Sequence, residues 1–411
     1  MEKRYGLIGR TLGHSHSPLL HRLLGGYDYQ LYPLEPQELP DFLRQPGLGG
    51  LNVTIPYKQT VMENCDTLSQ TAQAVGSVNT LLFGADGAIH GHNTDCGGLL
   101  ALARRTGIGF GGRKVVILGN GGTGHTAAAV ARAEGAAAVV VVSRTGPDNY
   151  SNLHRHADAD LLINTTPVGM YPGAGESPVS LEAFPELQGL LDVVYNPLRT
   201  RLVQEARQRG IPAAGGLYML AAQAAEASAL FQQRPVEELP LEAAYRALLG
   251  QVRNLVLVGM PGCGKSTVGR LLAQKTGRAL CDTDAMVARR AGCSIPELIA
   301  REGEAAFRGL ESQAVAEAAL QTGVIIATGG GAVLAEENRR ALLQNGVVFY
   351  IRRPLEQLST KGRPLSVDLP ALYRAREPIY RALAHHQVDS RPAPQQTAEA
   401  ILEVYHEDTG D

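Results

Sequence analysis

Two glycine-rich loops, each set between an apolar run and a helix-like run, constrain this chain more than any other feature. The first lies in KVVILGNGGTGHTAAAVARAEG (114–135) and the second in NLVLVGMPGCGKSTVGRLLAQKTG (254–277). A strand that turns on glycines into a helix aims unpaired backbone N–H groups and the positive end of the helix dipole at one point, which suits a phosphate. The loops differ in type: Gly119, Gly121 and Gly124 keep G-x-G-x-x-G spacing, whereas Gly259, Gly264, Lys265 and Ser266 fit G-x-x-x-x-G-K-[ST]. Other apolar runs (YGLIG, LNVTI, AAVVVVS, LLINTT, LLDVVY, VIIATGG, VVFYI) alternate with helical stretches. That alternation predicts α/β architecture with parallel sheets covered by helices. The absence of a shared loop type predicts two enzymes joined end to end rather than a repeat.

At 411 residues the chain has room for two to three domains. Its 44% hydrophobic content with 5% aromatics and no Trp predicts cores of Ala, Val, Leu and Ile, and excludes disorder and collagen-like order. The formal net charge of −2 gives no broad positive field, so nucleic acid and anionic membrane are excluded as partners and small-molecule chemistry is favoured. Five cysteines, an odd number without CxxC pairs, argue against a disulfide framework or structural zinc. A reducing, cytoplasmic setting is expected, because MEKRYGLIGRT lacks a long apolar stretch and the aliphatic run Ala136–Val142 is too short to span a bilayer. Pro235 and Pro240, in a charged stretch before a short amphipathic helix, mark 233–251 as the linker.

The first loop is set in a full strand–helix–strand unit, the context a dinucleotide site needs. About 20 residues on, where an Asp or Glu would bind a ribose 2′-hydroxyl, the chain has Ser143-Arg144-Thr145. A cation there suits a 2′-phosphate, so NADP is expected rather than NAD.

Polar clusters precede this loop: HSHSP with Ser15 and Ser17, NVTIPYK with Asn52, Thr54 and Lys58, VGSVNT with Asn79, and HNTD with Asn93 and Asp95. In this order, ahead of the glycine loop, they resemble the shikimate dehydrogenase family over about 1–232. The resemblance implies a discontinuous α/β substrate domain (1–100 plus 214–232) around a Rossmann-type NADP-binding domain (101–213). It implies that Lys58 is the proton donor to a ring ketone and that Asp95 positions it while binding a ring hydroxyl. Ser15, Ser17, Thr54 and Tyr195 would face the substrate carboxylate, and Asn79 and Gln223 its hydroxyls. Gly119, Asn120, Gly121, Gly122, Thr123, Gly124, Ser143, Arg144, Thr145 and Gly216 would hold the cofactor. Asn120 and Thr123 stand where the family has small apolar residues, His14 and His16 are interleaved with the serines, and the segment after Thr145 is short for a helix and strand before INTTPVGM.

Around the second loop, Lys265 would reach the terminal phosphates and the Ser266 hydroxyl would bind Mg²⁺. CDTD (Asp282, Asp284), GEAAFR (Arg308), ATGGGAV (Gly330, Gly331), KGRPLS (Arg363) and AREPIYRALA (Arg376) follow. This set resembles shikimate kinase over about 252–405, in the nucleoside-monophosphate-kinase-like group of P-loop folds, and implies a domain at 252–411. The resemblance assigns ATP to Gly262, Cys263, Gly264, Lys265, Ser266 and Thr267, and Mg²⁺ to Ser266 and Asp282. It places Asp284 at the accepting hydroxyl, Arg308 and Arg376 on the carboxylate, Gly330 and Gly331 against the ring, and Arg363 on a lid. The chain is thus expected to reduce 3-dehydroshikimate with NADPH and phosphorylate shikimate with ATP, with a homodimer as a further expectation. The competing expectation is a quinate/shikimate dehydrogenase of relaxed cofactor use joined to a nucleotide-sensing module.

Overall fold

The computed structural model describes residues 3–13, 15–358 and 368–408. Among them, three sheets fall into two compact units, 1–196 with 200–249 and 197–199 with 250–411. The first unit opens with β1 (Arg4–Gly9), β2 (Tyr29–Pro33), β3 (Leu48–Val53), β4 (Thr67–Leu68), β5 (Thr80–Phe83) and β6 (Ile89–His92) in the order β2-β1-β3-β5-β6-β4. The parallel pattern is broken in this sheet at one strand: β5 runs antiparallel to both β3 and β6. The cause is local. Only Gly84–Ala88 joins β5 to β6, too short for a crossover, and Gly87 at φ 87° with Asp86 accepting from the Ala88 N–H closes a hairpin instead.

The same unit continues with β7 (Lys114–Leu118), β8 (Ala138–Val142), β9 (Leu161–Asn164), β10 (Gly189–Asp192) and β11 (Ala213–Ala214) in the all-parallel order β11-β10-β9-β7-β8. The β8–β9 connection is as short as its sequence suggests, holding a single 3₁₀ turn, Leu153–His156. Its chain order reverses beside β7, and the crevice at the carboxyl ends of strands at such a reversal is where nucleotides bind in open α/β sheets. Helix Leu217–Gln232 is mostly small and buried, and packs on helix Asp95–Arg105. Residues 233–251 are themselves structured: helix Leu241–Val252 buries Tyr245 and Leu248, and Glu242 accepts from both Arg105 and Tyr218.

The second unit is a parallel sheet of β12 (Asn254–Val258), β13 (Leu280–Asp282), β14 (Ile325–Ala327), β15 (Gly346–Arg352) and β16 (His386–Asp389), ordered β13-β14-β12-β15-β16. The central strand β12 is buried along its whole length, as expected for a strand covered by helices on both faces. Helix Lys265–Thr276 leaves β12 through the second glycine loop. None of the described helices is long and apolar enough to cross a membrane.

Candidate active sites

A cavity of about 240 Å³ in the first unit gathers the polar clusters that lie far apart in sequence. Ser15, Ser17, Thr54, Lys58, Asn79, Asp95, Tyr195 and Gln223 all line it, together with Thr123 of the glycine loop and Gly216. Lys58 Nζ donates to Asp95 Oδ2 at 2.6 Å, with both side chains largely shielded from solvent. Asn79 Nδ2 donates to the other Asp95 oxygen at 2.9 Å and to Thr94 Oγ1, while Asn79 Oδ1 accepts from the Thr94 N–H. Asn93 Oδ1 accepts from the Asp95 N–H, and Asn93 is itself anchored to Ser77. The carboxylate is therefore fixed at both oxygens before any substrate arrives, and it fixes the ammonium in turn. Charge-assisted hydrogen bonds of this kind are about twice as strong as neutral ones.

Other placements have equally local causes. Ser17 opens helix Ser17–Gly25, with Pro18 in its first turn, and its N–H donates to Ser15 Oγ. Gly216 must be glycine: a Cβ there would lie 2.2 Å from the Val193 carbonyl. Tyr195 follows Asp192, whose buried carboxylate accepts from Asn164, Thr200 and the Val194 N–H. Burial pushes the Asp192 carboxyl up to about 7 against those donors. Sequence reasoning passed over this anchor, and also over Met219 and Leu220, which supply apolar wall; nothing about an aliphatic pair in an Ala-rich helix marks it as lining a cavity.

At the cofactor loop Gly119 has φ 104°, and a Cβ on Gly124 would meet the Gly119 carbonyl at 2.2 Å. Helix Gly122–Ala133 starts at Gly121 without a side-chain cap, so its first N–H groups face outward beside Asn120 and Thr123. Arg144 and Thr145 are exposed just past β8, and Ser143 is buried. These residues fit a dinucleotide carrying a 2′-phosphate.

In the second unit Gly259 and Gly264 have φ 148° and 104°, and Lys265 Nζ donates to the Gly259 and Met260 carbonyls at 2.8 and 3.0 Å. Cys263 is buried, Ser266 half-buried and Thr267 exposed, and Gly262 is a further left-handed glycine of the loop. Asp282 caps helix Thr283–Ala291 by accepting from the Ala285 N–H. Among the described residues no group of three His, Cys, Asp or Glu could hold a metal ion.

The turn 329–331 packs between this loop and the side chains of Asp284, Arg308 and Glu311. A Cβ on Gly330 would clash with Pro261 of the loop, one on Gly331 with the Arg308 guanidinium, and one on Gly329 with Asp284 and Glu311. Tyr380 donates to the Gly330 carbonyl and lies one turn past buried Arg376. Glu311 is the residue missed here. It is 2% exposed, pairs with Arg308 at 2.6 Å, and keeps Oε1 without a hydrogen bond among the described residues. Its carboxyl is raised by burial and by Asp284, against the pull of Arg308 and Arg376. The signal was present, since Arg308 and Glu311 are three apart on one helix face. Arg363 lies outside the described residues.

The two units thus define a Rossmann-type oxidoreductase and a P-loop phosphotransferase. Comparison with known proteins gives the families. Residues 7–81 match the shikimate dehydrogenase substrate binding domain and residues 261–406 match shikimate kinase. The NADP⁺-dependent shikimate dehydrogenase of Methanopyrus kandleri is 38% identical over 280 residues, covering 60% of this chain and 95% of that protein. Among solved structures, a chorismate mutase/shikimate 5-dehydrogenase fusion protein from Clostridium acetobutylicum is 33% identical with a TM-score of 0.57, covering 60% of this chain and 97% of that one. The Thermus thermophilus shikimate 5-dehydrogenase, solved with NADP(H) and shikimate, is 32% identical with a TM-score of 0.54 over 60% of this chain and 99% of its own. The chain belongs to the shikimate dehydrogenase family and carries a C-terminal shikimate kinase domain.

Proposed function

We propose that the chain is a bifunctional enzyme that reduces 3-dehydroshikimate to shikimate with NADPH and phosphorylates shikimate with ATP. The observation that carries this reading is the Lys58–Asp95 pair in one cavity with Thr123 of the dinucleotide loop. Residues 1–100 with 214–232 hold the substrate, 101–213 the dinucleotide, and 252–411 perform the phosphorylation. Bound NADPH supplies the hydride. Lys58 gives its proton to the oxygen of the reduced ketone, and Asp95 keeps the ammonium aimed while accepting from a ring hydroxyl. Ser15, Ser17, Thr54 and Tyr195 receive the carboxylate; Asn79 and Gln223 contact hydroxyls.

In the second unit Ser266 and Asp282 would hold a Mg²⁺ ion, which when bound would offset phosphate charge. Arg308 and Arg376 hold the acid, Asp284 orients the accepting hydroxyl and takes up its proton, and Arg363 is assigned to the transferring group. A cytoplasmic location is part of this reading. A homodimer is the assembly we expect.

Incubating the chain with 3-dehydroshikimate, NADPH and ATP should give shikimate 3-phosphate, with shikimate accumulating when ATP is left out. ATP binding without a phosphorylated product would instead support a sensing module. Arg144→Ala is expected to raise the KM for NADPH by about tenfold, the loss of one charge-assisted contact, with NADH turnover unchanged; equal effects on both cofactors would remove Arg144 from the 2′-phosphate site.

A further inference from the structure

The antiparallel pairing of β3 with β5 sets Asn52 directly opposite Thr80, and from this pair a chain of buried hydrogen bonds runs both ways. Toward the cavity, Asn52 Nδ2 donates to Thr80 Oγ1 at 3.0 Å, Thr80 Oγ1 donates to Asn79 Oδ1 at 3.1 Å, and Asn79 Nδ2 donates to Asp95, which holds Lys58. Away from the cavity, Asn52 Oδ1 accepts from the Tyr29 O–H at 2.7 Å. Tyr29 opens β2, with β1 lying between it and β3, and His21 stacks on its ring with centroids 4.0 Å apart. Tyr29, Asn52, Thr80 and Asn79 are all buried. The reduction as described uses Asn79, Asp95 and Lys58 and leaves Tyr29 and Thr80 idle.

The donors in this chain all point the same way, for a reason fixed at its inner end. The Thr94 N–H can only donate, and it donates to Asn79 Oδ1 at 2.8 Å, so Asn79 turns its amide N–H groups to Asp95. The single Thr80 hydroxyl proton goes to that same Oδ1, so toward Asn52 the hydroxyl can only accept. Asn52 must then present Nδ2 to Thr80 and Oδ1 to Tyr29, and a buried Oδ1 needs a donor. The Asn79 carbonyl, which accepts from the same Asn52 amide at a longer 3.4 Å, favours that orientation too. We propose that Tyr29 is a positioning residue for the reduction: its O–H completes a one-way hydrogen-bond chain through Asn52, Thr80 and Asn79 that holds Asp95 and, through it, Lys58. This rests on the reading of Lys58 as the proton donor. Each bond polarises the next, so the chain holds Asp95 more firmly than its last link alone would.

The test is a double-mutant cycle on kcat/KM for 3-dehydroshikimate reduction, with Tyr29→Phe, Thr80→Val and the two together, and with kinase turnover of the same preparations as the folding control. Tyr29→Phe removes only the O–H at the head of the chain, and Thr80→Val breaks it further in. Each single change should lower kcat/KM by about three- to tenfold, the net worth of one buried hydrogen bond, with the KM for NADPH unchanged. The double variant should fall no further than the weaker of the two singles, because one break already uncouples the chain. Losses that multiply in the double variant, as independent packing defects would, or single variants that turn over like wild type, would overturn the proposal. Lys58→Ala in the same assay separates it from the reading beneath: activity retained there overturns the role of Lys58 itself, whereas a wild-type-like Tyr29→Phe beside an inactive Lys58→Ala overturns only the role of Tyr29.

Discussion

Lys58→Ala should lower kcat/KM for ketone reduction by about 10²–10⁴, the usual worth of a positioned general acid, while phosphoryl transfer on the same chain is spared. The argument rests on pre-positioning. Lys58 Nζ is held 2.6 Å from Asp95 Oδ2, and Asp95 Oδ1 is held by Asn79, so the proton waits at a defined point when the alkoxide develops. Water could replace the proton but not its position. Lys58→Arg should do little better, because a guanidinium does not release its proton near neutrality and its fork does not match a point contact. The dependence of NADPH oxidation on 3-dehydroshikimate concentration, with kinase turnover measured on the same sample, decides the matter. Activity of Lys58→Ala within tenfold of wild type would remove Lys58 from the proton path.

Much of this was legible in the residues, for a definable reason. Phosphate loops are local: the glycines, the flanking strands and the helix start lie within some two dozen residues, so sequence alone placed both loops. The cavity clusters were legible only in order, since Ser15 and Gln223 meet across 208 positions of chain. What stayed hidden depends on packing that no local pattern encodes. The antiparallel strand β5 looks apolar like any other, and only the five-residue turn after it decides its direction. Glu311 reads as an ordinary helix-face carboxylate. It becomes notable only because Gly329 on a neighbouring element leaves room for it, and a glycine's reason is written on its neighbour, not on itself. The helix in 233–251 was visible as amphipathic, but the partners that bury Tyr245 and engage Glu242 come from residues more than a hundred positions upstream and from the preceding helix.

Lys265→Ala is expected to reduce shikimate phosphorylation by about 10²–10³ or more, the scale of removing one preorganised donor from a developing anionic charge, and to leave reduction of 3-dehydroshikimate unchanged. Lys265 is 7% exposed and its ammonium already touches two carbonyls of the loop it must serve, those of Gly259 and Met260. Those bonds hold the side chain folded across the loop, so it meets phosphate at little cost in ordering. The left-handed backbone at Gly259 and Gly264 keeps those carbonyls where they are. An alanine keeps the helix start, because residue 265 contributes only its backbone to it, and loses the charge. Lys265→Arg should fail as well, since the wider guanidinium does not fit between carbonyls spaced for one ammonium. Product formation with ATP and shikimate measures the first effect, and NADPH oxidation on the same sample the second. A variant that loses both activities would show that the phosphate loop supports more than its own domain, against the independence of the two sites on which the bifunctional reading depends.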